Sequence, residues 1–187
     1  MSLVVVLALT SRVSAQDAET VFGKGGPKVR GAYGAAVEKF SSIDGQFAHF
    51  IGGYGGVLFT NHLMIGAGAY ALINGNSIDI ESDPNTSRQL TYLGLAVERT
   101  FNSQKAFHLT ASLLTGGAII GEQNRLPDGG QYSIRSRGSF ALEPGLAAEV
   151  NLTKWFRVAG GVSYRWVASE SKYSAPAGSI TLKFGKF

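Results

Sequence analysis

The stretch from Leu142 to Leu152 constrains the fold of this chain more than any other part of it. Leu142, Leu146, Ala148, Val150 and Leu152 fall on one parity, interrupted only by Pro144. Glu143, Gly145, Ala147, Glu149 and Asn151 fall on the other. A period of two belongs to an extended strand whose two faces meet different surroundings. Here one surrounding accepts bulky apolar groups, and the other holds small residues and isolated charge. Eight such stretches run over 29–40, 46–59, 63–73, 88–101, 106–122, 136–152, 155–168 and 178–187. Most reach or exceed the roughly 9–11 residues with which a tilted strand crosses a bilayer.

Alternation alone does not say which face is inside, because a secreted soluble barrel of lipocalin or avidin type also alternates, with its apolar face inward. Volume and charge decide the expectation. The interior of eight closed strands is just wide enough for side chains to fill. The bulky face does not fit there, whereas the Gly/Ala/Ser face does. Charged residues make up only 16% of the chain, below the roughly 25–35% that a soluble surface carries. The sequence therefore predicts an all-β, eight-stranded antiparallel up-and-down transmembrane β-barrel with lipid outside. Arg30, Glu38, Glu98, Glu143, Glu149, Arg157, Arg165 and Lys183 are expected to point into its lumen and pair there, since unpaired buried charge is costly. In the first strand this puts Val29, Tyr33, Ala35 and Val37 on the lipid side. The second and third strands carry no decisive parity. Arg99 falls on the lipid side near a strand end, where a long side chain can reach the interface. A bulge is expected at Pro144-Gly145, because proline inside a closed barrel removes a ladder bond.

The connections alternate in length. Residues 60–62, 102–105 and 153–154 make tight turns, while 74–87, 123–135 and 169–177 are long and polar, with 41–45 the one short member of that second set. Short turns on one rim and long loops on the other mark an outer-membrane barrel. An even strand count then leaves both ends of the barrel on the short-turn, periplasmic rim. Trp155, Phe156, Phe101, Phe107 and Phe59 cluster near the tight turns and are expected to form an aromatic girdle. Ahead of the barrel, the apolar run from Leu3 to Thr10 and the small residues Val13-Ser14-Ala15 read as a signal peptide over 1–15. Residues 16–28 read as a periplasmic lead-in. With only Met1 and Ser2 before the apolar run, the true start is expected to lie upstream.

Chemistry-bearing patterns are sparse. The chain has no cysteine, which excludes disulfides and thiolate metal sites. Its net charge of +4 is scattered, with no basic helix or run of the kind that grips nucleic acid. Gly66-Ala67-Gly68-Ala69-Tyr70-Ala71 matches a dinucleotide fingerprint in letters, but it lies inside one strand where that motif needs a following helix. Asp79, Glu81 and Asp83 alternate in a loop that lacks the Gly and terminal Glu of a calcium loop. His108, Ser112 and Glu122 share one strand. An esterase would need the first two in contact, but four residues along a strand separate them by about 13 Å. His49 and His62 have no such company. No cofactor is expected.

The residues that bear a family resemblance are Ser14-Ala15-Gln16 at the leader end, the run from Asn151 to Val158 with Gly161-Val162-Ser163-Tyr164-Arg165, and Leu182-Lys183-Phe184-Gly185-Lys186-Phe187. With these the chain resembles the small eight-stranded outer-membrane proteins, in the style of the transmembrane domain of outer membrane protein A and of uncharacterised Bacteroidetes-type barrels. The resemblance implies a location in the outer membrane, contact with its lipid and lipopolysaccharide, and passage through the barrel assembly machinery, for which Phe187 would be the terminal aromatic signal. It does not specify an activity; face parity and the long loops lead to an expected structural or surface-interaction role through those loops, and eight strands leave no open pore. The alternatives are a lipid A-modifying enzyme of the same size and the secreted soluble barrel.

Overall fold

The computed structural model describes residues 28–75, 78–80, 83–125, 131–168 and 170–187. The expected signal peptide and all of the lead-in but Lys28 lie outside them. Among the described residues the strands are β1 Val29–Ile43, β2 Gln46–Phe59, β3 Leu63–Leu72, β4 Asp79–Ile80, β5 Asp83–Phe101, β6 Phe107–Arg125, β7 Gln131–Asn151, β8 Phe156–Val167 and β9 Ala175–Gly185. Two-residue β4 pairs with β5 alone. The other eight run antiparallel, each beside its neighbours in sequence, and the β1–β9 and β3–β5 pairings close the sheet into a barrel. Closure leaves no strand edge, so the ladder satisfies the backbone without help from solvent, as a span through hydrocarbon demands.

The turns follow from local chemistry. Asp44 and Gly45 both have positive φ, 51° and 78°, the signature of the two-residue hairpin turn that matches strand twist. His62 and Asn102 take left-handed conformations at the opposite rim. Two of the three stretches read as long loops, 74–87 and 123–135, are largely strand among the described residues. β6 and β7 stay paired out to Arg125 and Gln131, and β5 begins at Asp83. An antiparallel pair can keep its ladder after leaving the membrane, and a polar sequence does not oppose this.

Face parity follows the expectation in β5 through β9. Leu93, Leu95, Leu109, Leu146, Val162, Ile180 and Leu182 stand outward and exposed. An apolar exterior of this extent excludes the soluble barrel. β1 is a correction: Tyr33, Val37 and Lys39 are buried in the lumen, while Ala36 and Glu38 face out. A tyrosine inside can donate its hydroxyl to a buried carboxylate, which bulk alone does not reveal. The same reason settles β2, where Tyr54 donates to Glu98, and in β3 the Tyr70 ring points inward against the Lys39 ammonium, while Ile51, Val57 and Ile65 point out. The fingerprint-like glycines serve close packing. A Cβ on Gly66 would sit 2.5 Å from the Gly56 Cα.

Two further expectations change. Pro144 makes no bulge, because Leu142↔Trp166 and Gly145↔Ser163 keep one register across it. The β7–β8 ladder instead skips Glu143 and Pro144, while β6 stays paired through Pro144, so the missing N–H is on the β8 side. Phe59 is buried and leaves the girdle. Trp155, Phe101 and Phe107 are exposed at the short-turn rim, and Phe156 stacks with Phe184 at 4.8 Å. A second band, Phe40, Phe47, Phe140 and Trp166, stands at the other end.

Candidate functional site

The lumen is filled by three tiers of charge, each built from inward positions of several strands. Nearest the short turns, Glu149 on β7 accepts from His108 Nε2 on β6 and Arg157 on β8, both at 2.9 Å. It also meets the Lys183 ammonium of β9. Lys183 reaches upward to Glu98 on β5 at 2.5 Å, which further accepts from the hydroxyls of Tyr33 and Tyr54, each at 2.6 Å. In the third tier Glu143 on β7 accepts from Lys39 and Tyr92 at 2.6 Å and from Ser163 at 2.7 Å. The Lys39 ammonium also lies 3.3 Å from the centre of the Tyr70 ring. Every carboxylate thus has at least one cation and two further donors, the condition under which buried charge is tolerated.

Above these tiers the mouth is stoppered. A single 3-10 turn, Ser171–Tyr173, buries Tyr173. The Tyr173 carbonyl accepts from Arg165 Nε at 2.8 Å. Arg165 is fully buried, donates to the Ser42 carbonyl at 3.1 Å and lies 4.4 Å from the Phe50 ring centre. Arg88 pairs with Asp44 at 2.7 Å beside it. Two cavities remain between tiers, about 60 Å³ and about 40 Å³, lined in common by Lys39, Tyr54, Tyr70, Glu98 and Ser112. Each has room for one or two waters.

The structure brings Glu98, Glu143, Glu149, Arg157 and Lys183 into this lattice. Arg165 shares the lumen, but backbone carbonyls and an aromatic ring hold it in place of a carboxylate. Two residues are placed elsewhere. Glu38 is exposed on the outer face, across from Ile51 and Ile180. Arg30 lies at the periplasmic mouth, 3.4 Å from His62 Nδ1, because the register shift between Val29 and Gly31 takes the start of β1 out of phase. Lys39, Tyr33 and Tyr54 were missed as members, while Tyr92 and His108 stand on the inward parity of β5 and β6 expected for them, against Glu143 and Glu149. One signal for Lys39 was present: adjacent Glu38 and Lys39 cannot both point inward, and a lysine facing lipid costs more than a glutamate. Phe187 packs its ring 5.0 Å from Tyr33, with Arg157 3.7 Å from its centre.

If Glu38 faces lipid, Glu38→Leu should raise unfolding stability in phospholipid vesicles by about 1 kcal/mol. A urea titration would check this. A loss of stability would return Glu38 to the lumen.

The remaining candidates separate. His108 is committed to Glu149, while Glu122 lies at the far rim, 3.8 Å from Arg137. Gly66 to Ala71 lie in β3 with no helix behind them. Asp79 and Asp83 belong to the β4–β5 hairpin, and Glu81 lies outside the described residues. Among the described residues no group of three His, Asp or Glu side chains could hold a metal ion.

An eight-stranded barrel with lipid-facing apolar residues, a charge-filled interior and long hairpins on one rim is the architecture of a small outer-membrane protein. The chain matches the outer membrane protein beta-barrel domain family over residues 1–185 and belongs to it, which places it in the bacterial outer membrane. It is similar in fold to Neisserial surface protein A (14% identity, TM-score 0.54, 84% of this chain and 96% of that one). It is likewise similar to the N-terminal β-barrel domain of Pseudomonas aeruginosa OprF (14% identity, TM-score 0.54, 84% and 98%). A major outer membrane protein from Thermus thermophilus aligns with a TM-score of 0.56 at 10% identity, over 82% of this chain and 99% of that one. No curated protein matches the chain.

Proposed function

We propose that this protein is a non-enzymatic, non-conducting outer-membrane barrel whose extracellular hairpins form its contact surface. The observation that carries this reading is the interior. Three tiers of matched charge and the Arg165–Tyr173 stopper fill it, and the cavities between the tiers have room for only one or two waters each. A pore of eight strands has no room for a hydrated ion past such a filling. The commitment of His108 to Glu149 leaves it without a nucleophile to activate, which weighs against a hydrolase. The hairpins of β4–β5 and β6–β7 carry polar strand beyond the apolar band, the arrangement through which a barrel presents surface to partners. Outside, the apolar face takes lipid and lipopolysaccharide as its solvent. Before folding, Phe187 serves as the terminal aromatic by which the assembly machinery engages the last strand.

Two measurements test the reading together. Refolded protein in planar bilayers should give no stepwise conductance. The lipid A mass spectrum of a knockout strain should equal that of its parent. Resolved conductance steps would overturn the sealed lumen. A missing or added acyl chain on lipid A that tracks the gene would overturn the non-enzymatic reading.

A further inference from the structure

The two rims treat charge differently. At the extracellular rim three bases are matched: Arg88 and Lys172 meet Asp44 at 2.7 and 3.5 Å, and Arg137 meets Glu170 at 2.7 Å, while exposed Arg135 makes no ion pair among the described residues. At the periplasmic rim the pattern is one-sided. Lys28 and Arg30 open β1, Arg99 and Lys105 flank the β5–β6 turn, Lys154 sits in the β7–β8 turn and Lys186 follows β9. All six side chains are exposed. None makes an ion pair with a side-chain carboxylate among the described residues. The nearest acids, Glu98 and Glu149, are buried in the lumen and already matched.

These bases stand at the level where a lipid headgroup lies. Arg99 is on the outward face of β5, one outward position from Phe101. Lys154 adjoins Trp155, whose carbonyl accepts from Gly185 N next to Lys186. Trp155 in turn stacks on Phe184. Aromatic girdles mark the membrane–water interface, so the cations around this one face phosphates. His62, inside the same rim, is held below the usual histidine range by burial and then by Arg30, Arg99 and Arg157. Its imidazole is therefore neutral at pH 7 and adds an acceptor for Arg30 in place of further repulsion.

We infer that this rim is a binding surface for the phosphodiester headgroups of anionic phospholipids in the periplasmic leaflet. Both periplasmic ends and the β5–β6 and β7–β8 turns contribute a base, while the β2–β3 turn carries only the neutral His62, so the surface follows most of the rim and selects lipids along it. Juxtamembrane cations attract anionic lipid in this way, and the attraction weakens with salt.

The two tryptophans sit at opposite rims and make the test local. The full chain carrying Trp166→Phe reports from Trp155, and the chain carrying Trp155→Phe reports from Trp166. Each is refolded into phosphatidylcholine vesicles holding a fixed fraction of phosphatidylglycerol, with bromine on one lipid or the other. Brominated phosphatidylglycerol should be enriched at Trp155 on the order of fivefold over brominated phosphatidylcholine. Trp166 should show a smaller preference. Raising salt should remove the Trp155 preference. Adding Arg99→Gln and Lys186→Gln should also remove it while heat-modifiable migration is kept. Equal quenching at Trp155 by the two lipids overturns the proposal, as does a preference that survives high salt, which is decided on the unsubstituted rim even if the double variant does not fold. Inorganic phosphate that abolishes the preference at constant ionic strength would mean a free-anion site, and would overturn the lipid assignment too.

Discussion

Lys183→Met should lower the unfolding free energy of the barrel in lipid vesicles by about 3–5 kcal/mol, the cost of leaving a buried charge without its partner. The size of the effect comes from position. Lys183 is buried, and its ammonium is shared between Glu98 and Glu149, the acids of two tiers. Without it, Glu98 keeps only two tyrosine hydroxyls, and Glu149 keeps His108 and Arg157. Adding Glu98→Gln should return part of the loss, because the pair is coupled and the uncompensated charge disappears. Urea titration followed by heat-modifiable gel migration measures both. A loss below about 1 kcal/mol for the single variant would show that the tiers do not hold the barrel shut.

Leu95→Arg should cost about 2–4 kcal/mol in the same titration. Leu95 is about half exposed, on the outward face of β5 between Leu93 and Val97, opposite Ala67 and Thr115. On a soluble protein such a site would accept arginine within about 0.5 kcal/mol. The two outcomes differ because only hydrocarbon makes the guanidinium expensive there. A neutral result would mean that this face meets water.

The architecture was legible because a membrane barrel writes its constraints in one dimension. Strands of sufficient length, small residues on one parity and short turns at every second connection left little room for another fold. Parity failed where bulk and chemistry disagree. Tyr33 was read as a lipid-facing bulky residue, yet its hydroxyl serves Glu98 inside. That single reversal took Lys39 out of the expected lumen set and put Glu38 in. The pairing partners were illegible for another reason. Which acid meets which base depends on register around the closed sheet, and the letters of one strand do not carry it. The Arg165–Tyr173 contact spans a polar loop that reads as solvent-facing until its carbonyl is seen to cap a buried guanidinium. The extent of the hairpins was missed because polar residues in a ladder look like loop.

The central claim is that apolar side chains face lipid and charged ones face a filled lumen. Because the chain has no cysteine, a single spin label can be placed in turn from Leu93 to Glu98 and from Gly34 to Glu38 in vesicles. Collision with oxygen, which concentrates in hydrocarbon, should peak at Leu93, Leu95 and Val97, and in β1 at Gly34, Ala36 and Glu38. Collision with a water-soluble nickel chelate should stay low at those positions. Oxygen maxima at Gly94, Ala96, Ala35 and Val37 would contradict it.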